Sequence, residues 1–276
     1  MNRLKSIFIS LYLTLLVAGV ARAFWLMPES AFWFWILIAL VPGLAFFLWV
    51  FTFNIARTGY MSVVMWLGPL MACVGLLTTD VDALEAWFWV LGVGLGFSSL
   101  YIRWYSRYGK RFNLVLQNGN QLPDVAFENE HAETVHLSDY EGPLLLLFYR
   151  GNWCPLCMAQ IKEVAEQYNE LAAKGLNLLM ISPQSHGNTA DLAKRFNVPM
   201  EFLVDKDLNA AKTLGIEALA GLPAGLEALG YDSDTVLPTV IITDAERRII
   251  YTDQTDNYRV RPEPATYLQA LAKVGM

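Results

Sequence analysis

The sequence has 276 residues, of which 55% are hydrophobic and 17% charged, with 20 lysines and arginines against 26 aspartates and glutamates. Only eight charged residues precede position 103, and a soluble domain could not bury so much apolar surface within about 100 residues. The composition therefore excludes a wholly cytosolic globular protein, a disordered chain and a collagen. The net charge of -6 arises after position 102, where no basic cluster of the kind that binds nucleic acid is visible.

Four apolar runs begin the chain, at about 6–26, 31–53, 60–79 and 83–102. Each is long enough as a helix to cross a hydrocarbon core of about 30 Å, so the sequence predicts four transmembrane helices. Tryptophans lie mostly near the ends of these runs, as in the aromatic belt of a lipid interface. We interpret residues 1–103 as a transmembrane domain in the lipid bilayer, 104–117 as a juxtamembrane linker and 118–276 as a separate domain.

The charges that flank the runs predict the orientation of the helices. One side of the membrane would carry seven cations, namely Arg3, Lys5, Arg57, Arg103, Arg107, Lys110 and Arg111. The other side would carry Arg22 together with Asp80, Asp82 and Glu85. The positive-inside rule then predicts a multi-pass protein of the inner or plasma membrane with a cytoplasmic C-terminal domain. A cleavable signal peptide ending near Ala23 remains an alternative for the first run and leaves the later orientation unchanged.

The C-terminal part alternates between predicted strands and helices. The strands are expected at 134–137, 144–149, 176–181, 201–204, 236–243 and 248–252, and the helices at 155–174, 189–196, 208–214 and 264–274. Continuous apolar strands such as Leu144–Phe148 are typical of a parallel or mixed sheet that is covered on both faces. The pattern therefore predicts an α/β sandwich whose first strand-to-helix turn spans residues 150–155.

That turn carries a Cys-x-x-Cys pair, Cys154 and Cys157, at the start of a helix. Pro155 suits the first helical turn because its missing N–H has no partner there in any case. The free N–H groups and the helix dipole stabilise a thiolate, and Arg150 adds positive charge. Two cysteines three positions apart can also close a small disulfide. The pattern predicts a dithiol redox centre.

Three other interpretations of the pair have to be weighed. A zinc site needs two further ligands, but no second Cys-x-x-Cys exists and the histidines His131, His136 and His186 are scattered. A structural disulfide is disfavoured in a reducing cytoplasm. The interpretation of the pair as two inert buried thiols remains open. We expect neither a metal nor a cofactor.

At these residues the sequence resembles a known family. Phe148–Cys157 is similar to the alkyl hydroperoxide reductase C and thiol-specific antioxidant superfamily, in particular its peroxiredoxin-like branch with Cys-x-x-Cys. The resemblance covers about residues 118–274 and includes the segments 175–184, 203–207, 237–240 and 256–262. It implies a thioredoxin fold and an oxidoreductase whose substrate is a hydroperoxide or a protein disulfide. It also implies a thiol reductant such as a thioredoxin-like protein.

The resemblance assigns opposite roles to the two cysteines. In the motif Pro-x-x-x-Thr-x-x-Cys of peroxiredoxins the last cysteine attacks peroxide, and Cys157 occupies that place, although Arg150 and Cys154 replace the proline and the threonine. The family's later arginine is expected to be missing, because Pro238 stands at its position. Pro238 instead resembles the cis-proline of thioredoxins. By analogy with the Cys-x-x-Cys pair of thioredoxins, Cys154 would be the nucleophile and Cys157 the resolving thiol. A redox-inactive module that holds a peptide near Trp153 and Pro238 remains a further possibility.

Overall fold

The computed structural model describes residues 2–53, 55–79, 83–109, 111 and 113–275. The expectations about Asp80, Asp82 and Lys110 lie outside these residues. The chain divides into two compact units, of which one comprises residues 3–107 with 223–225, and the other residues 108–222 with those from 226 onward. The first unit is helical, and the second contains all the strands that the structure describes.

The helical unit confirms the four apolar helices. They are α1 (Asn2–Leu26), α2 (Phe32–Phe53), α3 (Gly59–Thr78) and α4 (Leu84–Tyr105), each long and apolar enough to cross a membrane. α4 contains two wider π-helical stretches, Phe88–Phe97 and Tyr101–Tyr105. A Cβ on Gly75 of α3 would overlap the indole of Trp35 in α2, so this glycine permits a close approach of the two helices.

Contacts at the two ends of α1 fix its direction relative to α4. Near the start of α1, the Lys5 ammonium lies 5.7 Å from the ring centre of Trp104, close to the end of α4. Near the end of α1, the Arg22 Nε atom lies 2.9 Å from Glu85 Oε1, at the start of α4. The two helices are therefore antiparallel, and Lys5 shares one end of the unit with Arg103.

The second unit is built on a seven-stranded mixed sheet. In chain order the strands are β1 (Ala126–Glu128), β2 (Thr134–His136), β3 (Leu144–Phe148), β4 (Asn177–Ser182), β5 (Glu201–Val204), β6 (Glu217–Ala218), β7 (Thr235–Val236), β8 (Thr239–Thr243) and β9 (Ile249–Asp253). The order across the sheet is β2-β1-β5-β4-β3-β8-β9, and β6 pairs with β7 separately. β3, β4 and β5 run parallel, and β8 is antiparallel to β3.

Helices cover this sheet. They are α5 (Pro155–Glu166), α6 (Tyr168–Ala172), α7 (His186–Ala193), α8 (Asn209–Thr213) and α9 (Pro264–Lys273). Every residue of β3 and of β8 is buried, so the side chains on both faces of the central strands lie in a core. The arrangement confirms the predicted α/β sandwich with a thioredoxin-like fold.

Two predicted elements differ in the structure. The helix expected from Pro155 to Lys174 is interrupted at Gln167, whose backbone (φ -102°, ψ 16°) leaves the helical region. The strand expected over 236–243 is broken before Thr239, because Pro238 has no N–H to donate to a ladder.

The expectation that Pro238 resembles a cis-proline is wrong. No peptide bond among the described residues is cis, so the Leu237–Pro238 bond is trans. The trans isomer is favoured intrinsically for prolines. In this conformation the Pro238 carbonyl oxygen accepts a hydrogen bond from Arg111 Nη1 at 3.0 Å.

Candidate active site

The two cysteines lie at the start of helix α5, just after the turn that follows strand β3. Cys154 is the N-cap residue of α5, with an extended backbone, and Cys157 lies in the first turn. Both side chains are buried, with exposed fractions of 2% and 1%, and both thiols are free. Their sulfur atoms are 2.8 Å apart, and the Cys157 thiol donates a hydrogen bond to Cys154 Sγ. The predicted pair is thus brought together as a reduced dithiol.

The two thiols have opposite electrostatic surroundings. The hydrogen bond from Cys157 lowers the pKa of Cys154 to about 6, against the opposing effect of burial, and the charges of Arg150 and Arg261 lower it further. Burial, followed by the proximity of Cys154, raises the pKa of Cys157 well above its usual value. Cys154 is therefore the thiolate of the pair near neutral pH, and Cys157 keeps its proton.

Arg150 and Trp153, which we expect from the sequence to support the cysteine pair, contact each other at this turn. The Arg150 guanidinium lies 4.5 Å from the ring centre of Trp153, in a cation–π arrangement, and donates to the carbonyl oxygen of Gly221. Between them Gly151 has a φ of +147°, and a Cβ at this position would overlap the Trp153 indole. The close approach of the indole to the turn therefore requires a glycine at this position.

The other two predicted supporting residues are both prolines. Pro155 occupies the first turn of α5, as expected. Pro238 immediately precedes β8, and Thr239 of β8 pairs with Phe148 of β3, the strand that leads to the cysteines. Pro238 therefore lies at the same end of these two strands as the cysteine turn.

Arg261 is a site residue that the sequence interpretation missed. Its Nη2 atom lies 3.9 Å from Cys157 Sγ, and its side chain is buried, with an exposed fraction of 3%. The expectation that the site lacks an arginine because of Pro238 is therefore corrected, since a guanidinium reaches the dithiol from a later segment. The segment 256–262 carries part of the family resemblance, but nothing in its pattern indicates where the side chain of Arg261 lies.

A hydrogen-bonded network holds the turn from the opposite side. Gln184 Oε1 accepts a hydrogen bond from the Asn152 backbone N–H at 2.9 Å, while its Nε2 donates to Tyr149 OH at 3.1 Å. Gln184 Nε2 also lies 3.3 Å from Thr189 Oγ1. Because Tyr149 and Thr189 are buried in the core, the network keeps Asn152, two residues before Cys154, in one conformation.

Among the described residues, no group of three or more His, Cys, Asp and Glu side chains is arranged to hold a metal ion. Cys73, the remaining cysteine, belongs to α3 and not to this site. The chemistry that the arrangement supports is that of a thiolate with an adjacent proton-bearing thiol and two guanidinium groups nearby.

The chain is similar to known thiol redox proteins. Residues 118–252 match the AhpC/TSA family. Peroxiredoxin Bcp of Bacillus subtilis is 26% identical over 159 residues, which cover 57% of this chain and 96% of that protein. The thiol-disulfide oxidoreductase ResA of Halalkalibacterium halodurans is 24% identical over 131 residues, which cover 47% of this chain and 71% of that protein.

Solved structures with a similar chain include peroxidoxin BcpB and AhpC, both from Mycobacterium tuberculosis. BcpB has a TM-score of 0.46 and 20% identity, over 58% of this chain and 96% of its own. AhpC has a TM-score of 0.45 and 14% identity, over 58% and 93% of the two chains. The sequence comparisons show a peroxiredoxin-like thioredoxin fold in the part of the chain that is similar to the AhpC/TSA family, and the protein is an oxidoreductase with a thiol redox function.

Proposed function

We propose that the protein is a membrane-bound thiol peroxidase in which Cys154 is the nucleophile and Cys157 the resolving thiol. The observation that supports this assignment is the hydrogen bond from the Cys157 thiol to Cys154 Sγ, because it stabilises a thiolate at Cys154 and keeps the proton on Cys157. Of the two family analogies, the thioredoxin-like assignment of the cysteines therefore fits the site better.

The reaction would proceed in two steps. The Cys154 thiolate attacks the terminal oxygen of a hydroperoxide, an S–O bond forms, the O–O bond breaks, and the departing alkoxide or hydroxide takes a proton from water. The Cys157 sulfur then attacks the sulfenic acid on Cys154, which closes the disulfide and releases water. Two electrons pass from the thiols to the peroxide, and a thioredoxin-like dithiol would return them.

Burial favours a small substrate over a protein disulfide. Both cysteines are almost completely covered in the reduced form, with exposed fractions of 2% and 1%. A hydroperoxide needs only a narrow opening to reach Cys154 Sγ, whereas a protein disulfide would have to place its own sulfur against it. Arg150 and Trp153 would support the thiolate and cover it, while Pro155 and Pro238 would fix the backbone around it.

We further propose that residues 1–103 anchor this enzyme in the inner or plasma membrane, with 104–117 as the linker and 118–276 as the redox domain on the cytoplasmic side. The antiparallel α1 and α4 support this topology, because Lys5 and Arg103 lie at one end of the unit and Arg22 at the other. Protease protection in inside-out and right-side-out vesicles tests it. Cleavage of the redox domain in right-side-out vesicles alone would contradict the proposed orientation.

The assignment of the cysteines is tested with the full chain in lipid nanodiscs. Wild type, Cys154→Ser and Cys157→Ser receive a pulse of hydrogen peroxide in the presence of dimedone, and the oxidised sulfur is located by mass spectrometry. We expect an internal disulfide in the wild type, a trapped sulfenic acid on Cys154 in Cys157→Ser, and almost no reaction in Cys154→Ser.

Each other outcome supports a different function. Trapping of Cys157 at the wild-type rate in Cys154→Ser would reverse the two roles. Rapid oxidation by protein disulfides but not by peroxide would indicate a thiol-disulfide exchanger. Thiols that neither ionise near neutral pH nor oxidise reversibly would favour a redox-inactive binding module.

A further inference from the structure

Two buried polar atoms near the dithiol have no hydrogen-bonding partner among the described residues. They are Nε of Arg261 and the hydroxyl oxygen of Tyr108. Buried donors are almost always paired in folded proteins, because an unpaired one loses its bonds to water without replacement. Two such donors beside one reactive centre are available to donate to a ligand that enters the site.

Tyr108 lies outside the residues that match the family, yet the fold attaches it to the segment that carries Arg261. Its backbone N–H donates to the carbonyl oxygen of Asp256 at 2.6 Å, and its ring centre lies 6.3 Å from that of Tyr258. Arg261 follows Tyr258 by three residues. The backbone contact links Tyr108 to this segment, and the phenol is near enough to the site for the charges of Arg261, Cys154 and Cys157 to act on it.

The segment just after Tyr108 is tied to the site as well. Arg111 donates to the Pro238 carbonyl oxygen at 3.0 Å through Nη1, and to Thr239 Oγ1 at 2.8 Å through Nη2. Thr239 pairs with Phe148 of β3, which leads directly to the cysteine turn. Tyr108 and Arg111 are therefore both bonded to the redox domain, and Tyr108 is held at a defined place.

Both orphan groups are donors at neutral pH. Burial raises the pKa of Tyr108 to about 12, and the charges of Arg150, Arg261, Cys154 and Cys157 act on the same hydroxyl. Burial opposes the charge on Arg261, but Cys157, Tyr108 and Cys154 together outweigh that effect and raise its pKa. Neither group accepts a proton from the other, so both can donate to a third atom.

We propose that the Tyr108 hydroxyl and Arg261 Nε form a two-donor oxygen-binding site that receives the departing oxygen of a hydroperoxide. This inference rests on the proposed peroxidase function. As the O–O bond breaks, negative charge develops on the departing alkoxide or hydroxide oxygen, and two fixed donors stabilise that charge more than the neutral peroxide. Neither donor gives up its proton, which the leaving group takes from water. Tyr108 thereby adds to the active site a residue from outside the part of the chain that matches the family.

The test compares an oxygen leaving group with a different one in the full chain in nanodiscs. Tyr108→Phe removes only the hydroxyl, and Tyr251→Phe is the matched control, since it removes a half-buried hydroxyl from β9. For each variant we measure the rate constant of Cys154 with hydrogen peroxide and with iodoacetamide, whose leaving group is iodide. We expect Tyr108→Phe to slow the peroxide reaction about 100-fold, the usual effect of removing one oxyanion donor. Alkylation should not change, and Tyr251→Phe should change neither rate.

Arg261→Lys provides a second variant, because it retains the charge near Cys157 but removes the Nε donor. We expect it to slow the peroxide reaction more than the alkylation. An unchanged peroxide rate in Tyr108→Phe would overturn the inference, and so would an equal loss of both rates, which indicates a general change in the thiolate. A wild type that is alkylated at Cys154 but does not react with peroxide would instead overturn the proposed function.

Discussion

The two units of this protein treat buried polar side chains differently. In the helical unit, Tyr12 OH and Ser98 Oγ lie 2.8 Å apart, and Ser106 Oγ donates to the Tyr101 carbonyl oxygen at 2.7 Å. Every buried side-chain nitrogen or oxygen without a partner that the described residues contain belongs to the other unit, and Tyr108 OH and Arg261 Nε are among them.

The difference has a physical cause. If the helices lie in a bilayer, no water can satisfy an unpaired group there, so each buried hydroxyl must find a partner within the protein. The α/β unit can leave donors unpaired where a polar ligand or water reaches them. The unpaired atoms of Tyr108 and Arg261 are therefore informative, because among the described residues such atoms occur in the α/β unit and not in the helical unit.

The units also differ in how much a single apolar side chain contributes to the free energy of unfolding. A substitution that tests this difference has the largest expected effect. Leu147 of β3 is fully buried, whereas Leu77 of α3 has an exposed fraction of 71%. We expect Leu147→Ala to lower the free energy of unfolding of the α/β unit by about 2–5 kcal/mol, because it leaves a cavity in a packed core. Leu77→Ala should have little effect, since lipid replaces the lost contacts.

Both variants are measured by thermal unfolding of the full chain in detergent, followed by hydrogen exchange in β3 and in α3. The exchange data are needed because the two units need not unfold together. A large loss of stability in Leu77→Ala would show that this surface is covered by protein and not by lipid. It would contradict the assignment of this face of α3 to lipid.

The same contrast explains which features could be predicted from the sequence. The four helices and the Cys154–Cys157 pair are local patterns, of hydropathy over about 20 residues and of spacing within one helical turn. Arg261 lies 104 positions from Cys157, and only the sheet topology brings it to the sulfur atom. Tyr108 belongs to a basic stretch whose composition is equally compatible with lipid headgroups. The isomer of Pro238 likewise depended on the conformation of the surrounding chain.

A smaller effect is expected when the hydrogen bond within the dithiol is removed. The Cys154 thiol has a pKa of about 6, and only its thiolate reacts. Its reactivity is therefore present at neutral pH and is lost as the pH falls through that value. Cys157→Ala removes the donor to the thiolate. A hydrogen bond to a charged group contributes about 1.5–3 kcal/mol, and each pKa unit corresponds to about 1.4 kcal/mol, so the inflection should rise by about one to two pH units.

Cys157→Ser is the matched control, because its hydroxyl can still donate to Cys154 Sγ. The measurement is the rate of Cys154 alkylation by iodoacetamide between about pH 5 and pH 9, because cysteine thiols in proteins titrate in about this range. We expect the inflection to move less in Cys157→Ser than in Cys157→Ala. Equal inflections in both variants and the wild type would show that Arg150 and Arg261 set the pKa without the neighbouring thiol.

The smallest effect is expected from a single methyl group between two helices. Gly75→Ala places a Cβ against the indole of Trp35, whereas Gly92→Ala in α4 meets only Phe88 of its own helix, at 3.6 Å. Overpacking costs about 1–3 kcal/mol, so Gly75→Ala should lower the melting temperature of the helical unit in detergent. Gly92→Ala should leave it unchanged or raise it, because alanine favours a helix over glycine by about 1 kcal/mol. Equal melting temperatures would show that the indole moves freely, and that close backbone approach does not hold α2 against α3.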